Sequence, residues 1–335
     1  MPPCSCQSSK SVAFDDWGSN QDEMSPVCIS RSFRMNVRLD PPAVQAEGQG
    51  LKIFCFAWTT WKPADLALLS EVRAAFKTCD GYSIFSDKQP STKEEPDVIV
   101  VQVPHQTLSR EDGSWLYHRN MVGLMPAWTH LLESTVDKYD WLVNVEFDHL
   151  LLTSKLRLSI ATHLAILREG RQEQQHAAGG PLLLMFGNAF LFNQDMVREM
   201  KRQWPQLGAT APGGHQASGC PMFMEGRFEW PASCSQDIVY PNLVTLMTPP
   251  VPAYGSPGCG QRPQDFPLAC FELQRQPVQE LGLDQLQLVQ ELAKLEHSNQ
   301  TELLATELMA AKDVPLWHHL SDPVARKMAR ELLGP

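Results

Sequence analysis

The chain has 335 residues, of which 43% are hydrophobic, and a formal net charge of −10 at pH 7. That length holds two domains or one large domain with extensions, and the apolar fraction is ample for a real core. A nucleic-acid groove needs clustered lysine and arginine to displace counterions, and no such patch occurs. No stretch approaches the roughly 20 consecutive apolar residues of a membrane span. Residues 1–48 also lack the basic start and apolar centre of a signal peptide.

Residues 1–48 are polar and without periodicity, and are expected to be a mostly disordered tail. Leu51 to Trp58 is a near-continuous apolar run bounded by Gly50 and Thr59, which reads as a parallel strand buried on both faces. A helix is expected to begin near Pro63, a residue tolerated in the first turn. Leu69, Val72 and Phe76 form its inner stripe, and Gly81 lies just past its end. Tyr82–Ser86 and Val98–Val103 read as strands, and Trp115 opens a second helix through about Glu133. Strands alternating with helices indicate an α/β protein with a mostly parallel sheet.

The most informative stretch is Lys138 to Leu152. An apolar strand, Trp141 to Val145, runs into two carboxylates, Glu146 and Asp148, with Phe147 between them. Side chains two apart in an extended chain point the same way, so both acids are expected to face one ligand. Ligands of open α/β sheets collect outside the carboxyl ends of the strands, and an acid-x-acid pair there suits a hard divalent cation. Without its context the same triplet, a common one, reads as a solvated strand end.

Beyond it, Ser154 to Leu167 reads as an amphipathic helix capped by Thr153 or Ser154, with His163, at helical spacing from Ile160 and Leu167, packed or half-exposed. Pro181 to Phe186 is a further buried strand. Phe186 to Val197 reads as a turn leading into a helix, with Asn193 as its N-cap. Residues 205–234 are rich in Gly, Pro and Cys and read as a lid or acceptor-binding loop, in which Trp230 is a candidate for stacking on a sugar. Past Val278 the chain becomes helical, with Leu281, Leu288, Leu292 and Leu295 in a stripe. Ser321-Asp322-Pro323 starts a last helix with cap and N1 proline in order. His318-His319 has no other ligand-type residues near it in sequence and is not expected to bind a metal. Among the nine cysteines there is no CxxC pair, so a zinc knuckle is not expected. Cys220, Cys234, Cys259 and Cys270 stand as disulfide partners suited to an oxidising lumen or as buried thiols.

Tyr139-Asp140-Trp141, an apolar tripeptide and the acidic triplet together resemble the signature of glycosyltransferase family 31, the fringe and core 1 galactosyltransferase group. Its pattern runs Asp-Trp-Phe-Leu, two residues, then Asp-Asp-Asp; here the outer acids are Glu146 and Asp148, and Phe147 replaces the middle one. Ile53 to Thr59 looks like the opening strand of the core 1 enzymes, which implies that Thr59 borders the nucleotide base; a strand-end cap is the alternative. Trp115 to Asn120 is similar to the family's Leu-Tyr-x-Lys and implies a diphosphate contact for Arg119. Phe186 to Asn193 resembles the glycine-rich Gly-Gly-Ala-Gly-Tyr-Val-Leu-Ser motif, which implies that Gly187 and Asn188 line the sugar. Cys234 to Tyr240 matches the late Glu-Asp motif, with Asp237 on its second acid. The family's later metal-binding histidine has no counterpart between His215 and His297; Asp265 stands in that region.

The resemblance implies a GT-A-like, Rossmann-like fold over residues 49–275, followed by a helical C-terminal extension at 276–335. It implies a metal-dependent, inverting transfer of a hexose or N-acetylhexosamine from a UDP-sugar to a hydroxyl of a glycan or glycoprotein. Glu146 and Asp148 would hold a divalent cation, manganese in the family, and Asp237 would deprotonate the acceptor. The family's animal members are Golgi proteins with an N-terminal anchor, which no segment of this sequence supplies. Phe147, the missing histidine and the depleted glycines favour the alternative, a binding or partner protein that keeps the fold without turnover.

Overall fold

The computed structural model describes residues 40–88, 97–102, 115–172, 180–208, 284–295 and 314–334, together with Tyr240, Met247, Val251, 253–255, Cys259, Leu268, 270–272 and Lys312. The expected tail ends in helix α1 (Pro41–Gly50), which lies against a later helix, α4 (Thr153–Gln172). Contact is close because Gly48 has no Cβ; one there would come within 3.0 Å of the Arg157 carbonyl oxygen. Arg168 of α4 pairs with Glu47.

The run from Ile53 to Thr59 is strand β1, and every residue of it is buried. Helix α2 (Pro63–Phe76) has proline in its first turn and buries Leu68, Leu69, Val72 and Phe76. Then come β2 (Gly81–Ser86), β3 (Val98–Val100), α3 (Trp115–Ser134), β4 (Trp141–Asn144) and β5 (Leu150–Leu151). After α4 follow β6 (Leu183–Phe186), β7 (Ala189–Asn193), α5 (Gln194–Gly208), β8 (Ala253–Gly255), β9 (Cys270–Glu272), α6 (Gln285–Leu295), β10 (Leu316–His318) and α7 (Pro323–Leu333).

Seven strands form one sheet in the order β3-β2-β1-β4-β7-β6-β8. It is mixed and mostly parallel: β7 runs against both β4 and β6, and the other pairings are parallel. Alternation along β1 shows how both faces are filled. Phe54, Phe56 and Trp58 face one core with α3 and α5, joined by Trp128, Phe190 and Phe192. Ile53, Cys55 and Ala57 face the other, built with Leu69, Val72, Phe76, Leu156 and Ile160 of α2 and α4. Cys55 is disulfide-bonded to Cys79, which ties β1 to the chain just past α2.

A second, three-stranded sheet has the order β5-β10-β9, with β10 antiparallel to β5 and parallel to β9. Residues on both sides of the expected 275/276 boundary therefore share one sheet. Its core joins Leu150, Leu152, Phe271 and Trp317 to Leu288 and Leu292 of α6 and Ala325 and Ala329 of α7. Asp322 caps α7, accepting from the Ala325 N–H at 2.7 Å, as the Ser-Asp-Pro signal predicts.

Two expectations are corrected here. The stretch from Phe186 to Val197 is not a plain turn into a helix but a β-hairpin, with Phe186 paired to Ala189 across Gly187-Asn188. Both loop residues have positive φ, 52° and 55°, as a two-residue type I′ turn requires. Asn193 nonetheless caps α5, its Oδ1 accepting from Met196 N–H at 2.9 Å. The second correction concerns the acids: β4 stops at Asn144, and Glu146 and Asp148 lie in a turn, not on an extended strand. The chain must reverse there to lay β5 beside β10.

Candidate metal centre

Parallel strands β2, β1 and β4 end on one edge of the large sheet, and the acidic turn sits there. Val145 N–H still donates to Phe56 O at 3.1 Å, so β4 remains anchored to β1 for one residue past its end. The turn then closes with His149 N–H donating to Glu146 O at 3.2 Å. Phe147, which occupies the family's middle acid position, points into the core and is 7% exposed. Glu146 and Asp148 keep about a third of their side-chain surface in solvent.

His318 and His319 at the end of β10 complete the cluster, correcting the expectation that they lack ligand partners. The reason is tertiary: β10 is laid against β5, which starts one residue after His149. Ligand atoms of Glu146, His149 and His318 all lie within 4.8 Å of one another. The Glu146 carboxylate is 3.5 Å from His149 Nε2 and 3.9 Å from His318 Nε2. Asp148 Oδ2 meets His319 Nδ1 at 3.2 Å, and the rings of His318 and His319 stack with centroids 3.6 Å apart. His319 has φ 65°, a conformation that costs a non-glycine residue energy and here turns the second ring toward Asp148.

The electrostatics follow from burial and contact. Burial, the largest single influence on Asp148, pushes its carboxyl up, but the His319 hydrogen bond and the neighbouring imidazoles outweigh it and hold it well below the usual carboxylate range. His149 is fully buried, and burial keeps it neutral, with a pKa well below that of an ordinary histidine. Its Nδ1 accepts from the Glu146 N–H at 3.1 Å. The one proton of the neutral ring therefore sits on Nε2, facing the Glu146 carboxylate. In that tautomer His149 holds the Glu146 backbone through Nδ1 while Nε2 faces the carboxylate 3.5 Å away; a cation bound at Nε2 would displace the proton there, as metal binding to histidine generally does.

The donor set fits a divalent first-row cation. One carboxylate, that of Glu146, converges with two imidazoles, and His149 Nε2 is a buried polar atom with no hydrogen bond, an arrangement suited to Zn²⁺, Mn²⁺ or their neighbours. Around it, Cys259 is disulfide-bonded to Cys270, and Cys259 Sγ lies 3.6 Å from His318 Nδ1. On the other side of that bridge sits the β6–β7 turn. A Cβ at Gly187 would come within 2.6 Å of Cys270 Sγ.

The remaining expected site residues are distributed as follows. Thr59 ends β1, but its hydroxyl is engaged: it donates to Asp65 at 3.1 Å and accepts from Trp61 N–H at 3.1 Å, so it acts as the strand-end cap. Gly187 abuts the disulfide, and Asn188 shares its turn. Arg119 lies on α3, with its side chain outside the described residues. Asp237, Asp265, Cys220, Cys234 and residues 209–234 with Trp230 also lie outside them, while 205–208, expected to open the loop, are the last turn of α5. Tyr240, three residues past Asp237, is buried, and its hydroxyl donates to Asn144 Oδ1 at 3.0 Å.

These features define an α/β protein with a carboxylate–imidazole cluster at the carboxyl edge of its principal sheet. No protein-family description and no curated protein matches the chain. Among solved structures it is similar to a glycosyltransferase involved in the glycosylation of the major capsid of PBCV-1. That match has 10% identity and a TM-score of 0.37, and covers 84% of this chain and 99% of the other.

Proposed function

We propose that the protein is a GT-A-like glycosyltransferase that moves a hexose or N-acetylhexosamine from a UDP-sugar to a hydroxyl of a glycan or glycoprotein, with inversion. The observation that carries this reading is the convergence of Glu146, His149 and His318 within 4.8 Å at the end of β4. The motif resemblance around Trp141 and the mixed, mostly parallel sheet support it. A bound divalent cation supplies Lewis-acid neutralisation of the departing diphosphate.

The chain's own residues do the rest. Glu146, His149 and His318 would hold the cation. Asp148, kept ionised beside His319, would add negative charge next to it. Arg119 offers its guanidinium to the diphosphate, and Gly187 and Asn188 border the donor pocket. Asp237 takes the proton of the acceptor hydroxyl as it attacks the anomeric carbon. The two disulfides support work in an oxidising secretory lumen, since such bonds are rare in the cytosol.

Thermal unfolding with UDP and Mn²⁺ tests the site. Ligands that bind only the folded state raise stability by RT ln(1 + [L]/Kd), so UDP with Mn²⁺ raises Tm for the wild type and leaves Asp148→Ala unchanged. An equal rise in Asp148→Ala refutes the site. Phe147, packed into the core where the family has an acid, favours a second reading, a binding protein without turnover. Release of sugar from a panel of UDP-sugars, lost in Asp237→Asn, decides for the enzyme; donor binding with no release from any of them decides for the binding protein.

A further inference from the structure

Arg326 on α7 is 1% exposed, and among the described residues it forms no ion pair. Its guanidinium donates instead to two backbone carbonyls of the acidic turn, Nη1 to Phe147 O at 2.9 Å and Nη2 to His149 O. A buried charge without a bonded counter-ion is costly, and burial pushes the Arg326 pKa down to about 10 even though Asp148 and Glu71 oppose the shift. Methionine or leucine fills such a position at lower cost, so the packing of α7 does not by itself account for an arginine. The geometry of the turn does. A guanidinium is a rigid planar fork, and the two carbonyls it spans, at 147 and 149, flank Asp148 and bracket the half of the turn that follows Glu146.

We infer that Arg326 is a positioning residue for the cation site: by gripping the carbonyls of Phe147 and His149 it fixes the direction in which Glu146, Asp148 and His149 present their side chains. With both carbonyls drawn toward α7, the turn keeps one conformation before any cation arrives. Arg330, one turn further along α7, pairs with Glu71 of α2 at 3.1 Å, so the helix that carries the fork is itself pinned to α2, which packs on the large sheet. This inference rests on the metal-site reading above.

The test is cation affinity of the full chain, stripped with chelator and titrated with Mn²⁺ followed by electron paramagnetic resonance of the free ion, or with Co²⁺ followed by visible absorption. Folding of each variant is verified by circular dichroism at the temperature of the titration. Arg326→Met is expected to weaken binding by about 10- to 100-fold, the range for outer partners of metal ligands, and to alter the Co²⁺ spectrum. Arg326→Lys, which keeps the charge and reaches one carbonyl, is expected to restore part of the affinity. It also serves in place of Arg326→Met if that variant does not fold, with an expected loss of affinity relative to wild type. Arg330→Ala lowers Tm and leaves the dissociation constant where it was. The inference is overturned if folded Arg326→Met, or folded Arg326→Lys in its place, binds like wild type, or if Arg330→Ala weakens binding as much as the Arg326 variant. A wild-type chain that binds neither ion overturns the metal-site reading itself, and the inference with it.

Discussion

Replacing Tyr240 by phenylalanine deletes one oxygen from the interior and leaves the ring packing in place. That oxygen accepts from Trp128 Nε1 at 3.0 Å and donates to Asn144 Oδ1 at 3.0 Å. Asn144 in turn donates to Phe56 O at 3.3 Å, so the hydroxyl links α3, the end of β4 and, through it, β1. All three side chains are buried, and no solvent is at hand to replace the lost bonds. Each buried polar group left unpaired costs about 1–3 kcal/mol, and two are created, so a loss of about 2–6 kcal/mol is expected. Urea unfolding at neutral pH measures it. The pH dependence adds a signature, because burial raises the Tyr240 pKa above the ordinary tyrosine value. A group whose folded pKa is raised contributes stability that is whole below its unfolded pKa, about 10, and is lost as pH rises beyond it. Tyr240→Phe should therefore flatten the alkaline fall in stability as well as lower the plateau. A loss below about 0.5 kcal/mol, the size of an ordinary surface substitution, would refute the network, as would additivity of Tyr240→Phe with Trp128→Phe in a double-mutant cycle.

Asp97 accepts two hydrogen bonds from Arg73, at 2.8 and 2.6 Å, and one from Tyr82 at 3.0 Å. Burial, the largest influence, pushes its pKa up, but these contacts together hold it below the model-peptide value. Its contribution is therefore present above that value and lost as pH falls, and Asp97→Asn should cost about 1 kcal/mol at neutral pH and shallow the acid limb of the stability curve. Gly187→Ala meets both a left-handed backbone and the Cys270 sulfur, and is expected to lose about 2–4 kcal/mol in chemical denaturation. Removing the Cys55–Cys79 bridge, whose partners are 24 residues apart, by a double serine substitution should cost about 3.5 kcal/mol on the loop-entropy estimate. A calorimetric scan of the double variant beside the reduced wild type checks it.

The two-faced burial of β1, the inner stripe of α2 and the start of α7 were legible because local sequence determines them: unbroken apolarity, helical spacing and a cap followed by proline. The β6–β7 hairpin was also legible in principle. Gly187-Asn188 between two apolar runs is a hairpin signal, but Asn193 had claimed the second run as the approach to a helix. It proves to be both, a strand residue and a cap. The site was only half legible. Glu146 and Asp148 stand together in sequence, whereas His319 reaches Asp148 across 171 positions, through a three-residue strand too short to show any period. Arg326 left a faint trace, lying between Ala325 and Ala329 on the inward face of an otherwise charged helix, where a lone arginine reads as surface.

The small sheet has its last-made strand in the middle. Ribosomes deliver residues in order, so β5 and β9 both leave the tunnel before β10, which must slip between them. The carboxylates are thus exposed to solution well ahead of His318 and His319. A translation product cut short of Leu316 retains the acidic turn and every strand of the large sheet while lacking the imidazoles of His318 and His319. The carboxylate–imidazole cluster is in this sense a late product of synthesis, complete only in polypeptides that extend through His319.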